Sequence, residues 1–465
     1  MNSREKSFSG SLGFILTAAG SAVGVGNIWR FPYLAAEDGG GLFIVIYLIL
    51  FFTLGTALLS TDLALGRRTG QSSIKAFRTI DSRWSFLGAL TFSVPLVIMT
   101  YYTVIGSWVL KYAVSYITGK GNTLLHDSAF TSFIMEGTEP VVYNLIFLFF
   151  TVIVVYKGVE KGVEKFSKII MPGLIFLIVG IFIYTLTLTY TEGNVTRTAA
   201  EGIAIYLKPN LKGMTAERFM KILLDAMSQI FFSLSVSMGI MITFGSYVKD
   251  DVDLTKSVRR IQFFDTFVAL IAGAIIIPSV YVFSGENALD CGPGLMFISL
   301  PKLFADMGKA GNFIAPLFFI MVIFATLTSC ISILETIVAN FQEITGHSRK
   351  RITIRAGLVY AVLSTIICMG YTRFYMDISL PDGSTAQLLD LMDYIANSCL
   401  LPFIAFLSSI FISHIAMPEY VTEEMEKGAE EFKRKKAYGF TMKYVTPAVM
   451  IVLFVKSTGC LNLIF

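Results

Sequence analysis

Charge is scarce in this 465-residue chain: Asp, Glu, Lys and Arg supply 15% of it, against 54% hydrophobic residues. Soluble domains carry about 25% charged residues, so a water-facing surface for a chain of this size is excluded. Histidine is rarer still. His126, His347 and His414 are scattered, which leaves no material for a zinc or haem centre. The five cysteines (Cys291, Cys330, Cys368, Cys399 and Cys460) lack the spacing of metal ligands or of a disulfide framework. The net charge is only +4, in separate short basic clusters, which argues against a nucleic-acid surface. The start does not read as a cleavable leader, because its first apolar segment is long and interrupted by glycines. That segment is expected to stay in the mature protein.

What the chain has instead is long uncharged runs. Leu42 to Thr61 is one, long enough as a helix to cross a hydrocarbon layer ~30 Å thick. Spans are expected at about 12–36, 41–66, 87–117, 141–156, 169–190, 219–248, 261–283, 313–344, 352–371, 388–417 and 440–460. Of the 37 Lys and Arg residues, 25 fall on the N-terminal side of this alternation. The positive-inside rule then puts the N-terminus in the cytoplasm and, with an odd number of spans, the C-terminus outside. The charged run Glu423 to Lys436 reads as a solvated cytoplasmic helix. No separate soluble domain is visible, so residues 1–465 are expected to form one all-α, polytopic membrane domain.

Two spans are interrupted. The first holds Gly20-Ser21-Ala22-Val23-Gly24-Val25-Gly26-Asn27 at mid-depth, and the sixth holds Ser233-Leu234-Ser235-Val236-Ser237-Met238-Gly239. Gly20 and Gly24 alone would fit close helix packing. Paired interruptions, each opening a potential five-helix unit, fit an inverted repeat whose discontinuous helices line a protected cavity. Half-helix N-termini suit a carboxylate, and half-helix C-termini suit a cation or ammonium group.

At these residues the chain resembles the neurotransmitter:sodium symporter family, in particular its bacterial amino acid transporters. The run Gly20-x-Ala22-Val23-Gly24-x-Gly26-Asn27-x-Trp29-Arg30-Phe31-Pro32-Tyr33 carries the resemblance, followed by Gly39-Gly40-Gly41. Tyr101-Tyr102, Gln229-x-Phe231-Phe232-Ser233-x-Ser235, Ala325-x-x-Thr328-Ser329 and Asp393 extend it along nearly the whole chain. The resemblance implies a LeuT-type 5+5 inverted repeat with discontinuous helices 1 and 6. Repeat one would cover about 12–190, repeat two about 219–417, and a peripheral eleventh helix about 440–460. It implies a multi-pass protein of a bacterial inner membrane, a monomer or weak dimer, with an amino acid, sodium ions and the lipid bilayer as partners.

By the same resemblance, one sodium site would use the Ala22 carbonyl, Asn27, Ser233 and Asp265 together with the substrate carboxylate. A second would use carbonyls of Gly20, Val23 and Ala325 with the hydroxyls of Thr328 and Ser329. The alternative for Thr328 and Ser329 is bonding back to their own helix. Chloride-dependent relatives bind the anion beside Tyr47, Gln229 and Ser233, all present here. Asp265 would itself supply the negative charge, so chloride dependence is not expected, and no cofactor is needed.

The amino acid carboxylate would meet Tyr102 and the amides near Val25 and Gly26. The Ala22, Phe232 and Ser233 carbonyls and Ser235 would take the ammonium. Ile98, Tyr102, Phe232, Ser235, Ser237, Met238 and Ile333 would line the side-chain pocket. Flexible Met238 leaves an adaptable apolar wall, suited to a bulky hydrophobic or aromatic side chain, tyrosine or tryptophan first. Arg30 and Asp393 would form an outer gate; Arg4, Tyr247 and Glu343 an inner one. Asp62 would reach the freed amides of a broken helix, and Gly162 with Pro172 would loosen the fifth span. Rival readings are a carrier of another amine or osmolyte, or a substrate-gated channel or sensor. An enzyme is not expected, since no nucleophile and base are brought together.

Overall fold

The computed structural model describes residues 7–126, 128–285, 296–381, 385–428 and 432–459. Among these, nine helices are long and apolar enough to cross a membrane: Gly41–Thr69, Ser82–Ile117, Glu139–Tyr156, Val159–Thr185, Leu254–Ser284, Lys309–Thr345, Arg349–Tyr371, Leu388–Ala416 and Lys435–Ser457. The first span is a bent pair, Ser11–Ala22 and Gly26–Glu37, turning by 51° at its break. The sixth runs as Ala216–Leu234 and resumes as Ile240–Gly245. The expected segments are therefore all helical, and the two expected to be interrupted are the two with a broken course.

The first, third, sixth, seventh and eighth spans make the buried centre, while the fourth, fifth, ninth and eleventh are largely exposed. Apolar side chains face outward on the peripheral spans, as Phe149, Phe176, Leu358 and Val362 do. That distribution suits lipid, because hydrocarbon offers no reason to hide such groups. Extended structure is confined to two hairpins. Thr189–Glu192 pairs antiparallel with Val195–Thr198, Thr189 opposite Thr198, and Ile378–Ser379 pairs with Thr385–Ala386.

One expectation is corrected. The run 423–436 is not a single solvated helix: helix Pro418–Glu426 ends inside it, and the next begins at Lys435. Glu424 within that run is fully buried against the Arg67 guanidinium at 2.6 Å. The physical reason is tertiary: a buried arginine at the end of the second span needs a carboxylate, and sequence position cannot disclose which one answers it.

Candidate functional site

Each broken helix is held open by a side chain from elsewhere in the polar centre. In the first span, the Val23 amide still bonds Ala19 at 2.7 Å, closing the first half. The Gly24 amide donates instead to the Asn27 side-chain oxygen at 3.1 Å. In the sixth, Ser235 and Ser237 sit at φ 52° and 61°, and Gly239 at 78°. Two serines in the left-handed region are strained, and such strain persists only where the surroundings over-determine it. Asp62 of the second span is one such determinant: its carboxylate accepts from the Ser237 amide at 2.8 Å.

Between the two breaks lies a buried polar cluster. The Asn27 amide nitrogen reaches Asp265 Oδ1 at 2.8 Å, the Asp265 carbonyl at 3.1 Å and Ser233 Oγ at 3.2 Å. Ser233 Oγ lies 2.7 and 2.8 Å from the two Asp265 carboxylate oxygens. Tyr47 donates to Asp265 Oδ2 at 3.5 Å, and Gln229 Nε2 donates to the Gly26 carbonyl at 3.1 Å. All are fully buried. Every contact to the Asp265 carboxylate comes from a neutral donor; no Lys, Arg or His side chain pairs with it among the described residues. A hard cation would find the oxygens of Ser233 and Asp265 here once the Asn27 amide nitrogen gave way.

Behind the first break, Ser21 and the eighth span meet. The Ser21 carbonyl accepts from Ser329 Oγ at 3.1 Å and from Ser235 Oγ at 3.2 Å. Thr328 Oγ1 bonds back to Phe324 and Ala325 carbonyls, each at 3.0 Å, so the back-bonding alternative describes Thr328 and not Ser329. Gly20 packs on Met171 and Thr328. Thr328 is thus placed beside Gly20, and Ser329 beside Ser21.

A cavity of about 20 Å³ opens beside these groups, lined by Ser21, Ala22, Gly24, Ile98, Tyr102, Phe232, Ser235, Met238, Ile240, Ser329 and Ile333. That volume suits roughly one water-sized body, so admitting an amino acid requires Phe232 and Met238 to give way. Of the expected pocket residues, Ala22, Ile98, Tyr102, Phe232, Ser235, Met238 and Ile333 face it, whereas Val25, Gly26, Ser233 and Ser237 do not. The Phe232 ring packs on Gly26 and screens it; Ser233 turns to Asp265, and the Ser237 amide to Asp62. Gly24 is obligatory at the wall: a Cβ there would stand 2.8 Å from Ser329 Oγ and 3.0 Å from the Tyr102 hydroxyl.

The family model described as the sodium:neurotransmitter symporter family matches residues 4–126 and 130–462. The chain belongs to the sodium:neurotransmitter symporter family. It is 30% identical over 464 residues to a sodium-dependent transporter of Bacillus subtilis, covering 98% of both chains. It is 26% identical over 490 residues to the human sodium- and chloride-dependent GABA transporter 2, covering 96% of this chain and 78% of that one. The crystal structure of MhsT in complex with L-phenylalanine superposes with a TM-score of 0.85 at 31% identity, covering 97% of this chain and 99% of MhsT. The fold is the LeuT fold, and family and fold are those of sodium-dependent secondary transporters, not enzymes.

The gates of this symporter differ in part from expectation. Arg30 and Asp393 form no direct ion pair among the described residues: Arg30 donates to Ser228 Oγ at 2.8 Å, and Asp393 accepts from Asn397 at 2.7 Å. Arg30 instead covers the Phe232 ring at 5.9 Å, and that ring lies 6.5 Å from the Tyr102 ring. Arg4 lies outside the described residues. Tyr247 donates to Glu335 at 2.8 Å, not to Glu343, and Glu335 is paired with Arg349. Glu343 accepts from the Ser72 amide at 2.9 Å and its hydroxyl at 3.1 Å. Sequence reasoning missed Glu335, although an acid deep in an apolar span is a functional signal by default. Phe8, just before the first span, is buried against Phe14, Phe244 and Tyr247, and its amide bonds the Tyr247 carbonyl at 3.1 Å. The fifth span does loosen where Gly162 sits, as a wide turn over Val159–Glu164, with Glu164 held by the Ser9 amide at 2.8 Å.

Proposed function

We propose that this symporter imports a neutral hydrophobic or aromatic amino acid by alternating access, driven by sodium and independent of chloride. The observation that carries the reading is the Asn27–Ser233–Asp265 cluster, one helical break away from a cavity walled by Ile98, Phe232, Met238, Ile240 and Ile333. Sodium would displace the Asn27 amide from the carboxylate and take oxygens of Asn27, Ser233, Asp265 and Ala22. A second sodium would lie among the Gly20, Val23 and Ala325 carbonyls with Thr328 and Ser329. Tyr102 stands at the cavity wall for the substrate carboxylate, and the Ser21 carbonyl and Ser235 for its ammonium.

The side-chain preference rests on those apolar walls and on MhsT, whose structure holds L-phenylalanine. Tyrosine and tryptophan remain the first substrates to try. Chloride independence rests on Asp265, a fixed negative charge placed beside Tyr47, Gln229 and Ser233. Outer closure would stack Arg30 on Phe232 on Tyr102, with Asp393 drawn in. Inner closure would use Arg4, Tyr247 and Glu343, with Phe8 as a plug. The repeats 12–190 and 219–417, the peripheral helix 440–460, a bacterial inner membrane with a cytoplasmic N-terminus, and a monomer or weak dimer complete the reading.

The test is uptake into proteoliposomes under an inward sodium gradient, competed with each of the twenty amino acids, with chloride replaced by gluconate in parallel. Aromatic and large aliphatic amino acids should compete, and gluconate should leave the rate unchanged. Accumulation of no amino acid, or a rate that rises steeply with chloride, refutes the reading.

A further inference from the structure

A groove lies far from the transport path, on the outer wall between the second span and the start of the eleventh. It encloses about 660 Å³ and is walled by Leu48, Ile49, Phe52, Ala57 and Tyr438. That volume falls within the ~300–1,000 Å³ typical of sites that enclose an organic ligand. Its walls are apolar even where the sequence is not, because Thr53 and Thr56 turn their hydroxyls onto their own helix, at 2.6 Å to Ile49 and 3.0 Å to Phe52 carbonyls. Ile49 and Phe52 remain exposed, which in a membrane means facing acyl chains.

One end of the groove changes character. A second hollow of about 170 Å³ shares Phe52, Thr56, Phe432 and Arg434 with it and adds Arg259, Lys433 and Gln262. Arg259, Lys433 and Arg434 are all exposed, and none forms an ion pair with an acidic side chain among the described residues. Of the described acids nearby, Glu426 holds Lys435 at 2.7 Å, and Glu424 holds Arg67 and Lys427. Arg434 touches the groove itself, its Nη1 3.4 Å from the Phe52 carbonyl. The three cations belong to the basic loops that the charge bias assigns to the cytoplasmic side, where the leaflet carries anionic lipid.

An apolar trough ending in three cations that have no acidic partner among the described residues, beside basic loops assigned to the cytoplasmic side, has the shape and charge to take one kind of molecule. The geometry points to a binding site for an anionic phospholipid, one acyl chain lying along Leu48, Ile49 and Phe52 and the phosphate held by Arg259, Lys433 and Arg434. The site rests on the membrane placement of the chain and not on its substrate, so it stands or falls separately from the transport reading.

The test is native mass spectrometry of the delipidated full-length protein in detergent, titrated with phosphatidylglycerol or with phosphatidylcholine of the same chains. Wild-type protein should retain one phosphatidylglycerol in preference to phosphatidylcholine, and glycerol phosphate should not displace it. Each basic side chain near a headgroup is worth about five-fold in affinity, so Arg259→Gln, Lys433→Gln and Arg434→Gln together should lower phosphatidylglycerol retention on the order of 100-fold. Phosphatidylcholine retention should stay where it was. A control removing the same charge on the same side, Lys75→Gln, Arg78→Gln and Arg83→Gln, should retain the lipid. Thr53→Trp, an exposed position that fills the trough, should lower retention of both lipids. Equal retention of the two lipids by the wild type, or retention unmoved by the triple change, would overturn the assignment.

Discussion

Three carboxylates are buried to the same depth in this protein, and they are treated in opposite ways. Glu424 and Glu335, toward the end of the molecule that carries the basic loops, each face an arginine, Arg67 and Arg349 respectively. Asp265, at the centre, is given only Asn27, Ser233 and Tyr47. Taking a carboxylate out of water is costly unless a cation comes with it. The peripheral acids carry their cation in the chain, permanently, which suits a scaffold. The central acid has no cation from the chain among the described residues, which suits the proposed cycle, in which sodium would be taken on there and let go.

The strongest way to break this contrast is to make the same change, acid to amide, at both kinds of position. Glu424→Gln leaves Arg67 buried without its counter-charge and is expected to cost about 3–5 kcal/mol of stability, the usual loss when one partner of a buried pair is removed. Chemical unfolding in detergent measures it. Replacing both partners by apolar residues, Arg67→Met with Glu424→Leu, should recover most of that loss. A single-substitution cost below about 1 kcal/mol, the range of surface pairs, would mean that this pair is not structural.

Asp265→Asn should behave the other way round. An amide keeps one acceptor oxygen for Asn27, and its NH2 can donate to the Ser233 or Tyr47 hydroxyl, so the fold should tolerate it, while the sodium concentration for half-maximal uptake should rise on the order of 100-fold, as loss of a charged partner worth about 1.5–3 kcal/mol implies. Uptake by the variant should also gain a chloride requirement that the wild type lacks. Sodium-titrated uptake with and without chloride reads both effects. Unchanged sodium dependence would put Asp265 with the structural acids and dissolve the comparison.

Of the two kinds of carboxylate, the central one was the more legible in the sequence, and the pairing of the others was not. Asp265 stands out because it interrupts an apolar span between Phe264 and Phe267, and the breaks stand out because glycine and serine interrupt helices that need neither. Arg67 and Glu424 are 357 positions apart, in segments that look like ordinary loop charge, and only tertiary packing joins them. Glu335 was visible as an intramembrane acid, but its partner Arg349 follows the end of that span and reads as one more basic loop residue. The left-handed backbone at Ser235 and Ser237 left no mark either, because serine has no special claim on that conformation. The resemblance names Arg30 and Asp393 as partners but not the contacts Arg30 makes here, with Ser228 and Phe232.

A smaller effect tests whether the central site is as tightly built around the breaks as around the acid. Gly24→Ala would set a methyl 2.8 Å from Ser329 Oγ and 3.0 Å from the Tyr102 hydroxyl. Overpacking of this kind costs about 1–3 kcal/mol, and the low end, if felt in the substrate-bound state, corresponds to a loss of about five-fold in uptake efficiency. Ala22→Gly, which removes a methyl from the same wall, should do less. If Gly24→Ala transports normally, the wall formed by the first break is looser than the polar cluster beside it.

The smallest effect comes from a fourth carboxylate that lies between the two extremes. Asp38, in the turn after the first span, shares the Lys221 ammonium at 3.0 Å with Glu37 at 3.0 Å and Asp225 at 2.9 Å. Three acids on one lysine leave Asp38 under-compensated. Burial, with the Asp225 charge adding to it and Lys221 opposing, pushes its pKa up from the usual 3.8 to about 6. A raised folded-state value means that the folded protein holds a proton which the unfolded chain gives up at lower pH. The associated stability is complete below the unfolded value and is lost as pH rises through about 6. Melting temperature should therefore fall as pH is raised from about 5 to about 7, by no more than about 2–4 °C, and Asp38→Asn should flatten that slope. A slope of the opposite sign would mean that Lys221 compensates Asp38 as fully as Arg67 compensates Glu424, and that the outer turn belongs with the scaffold.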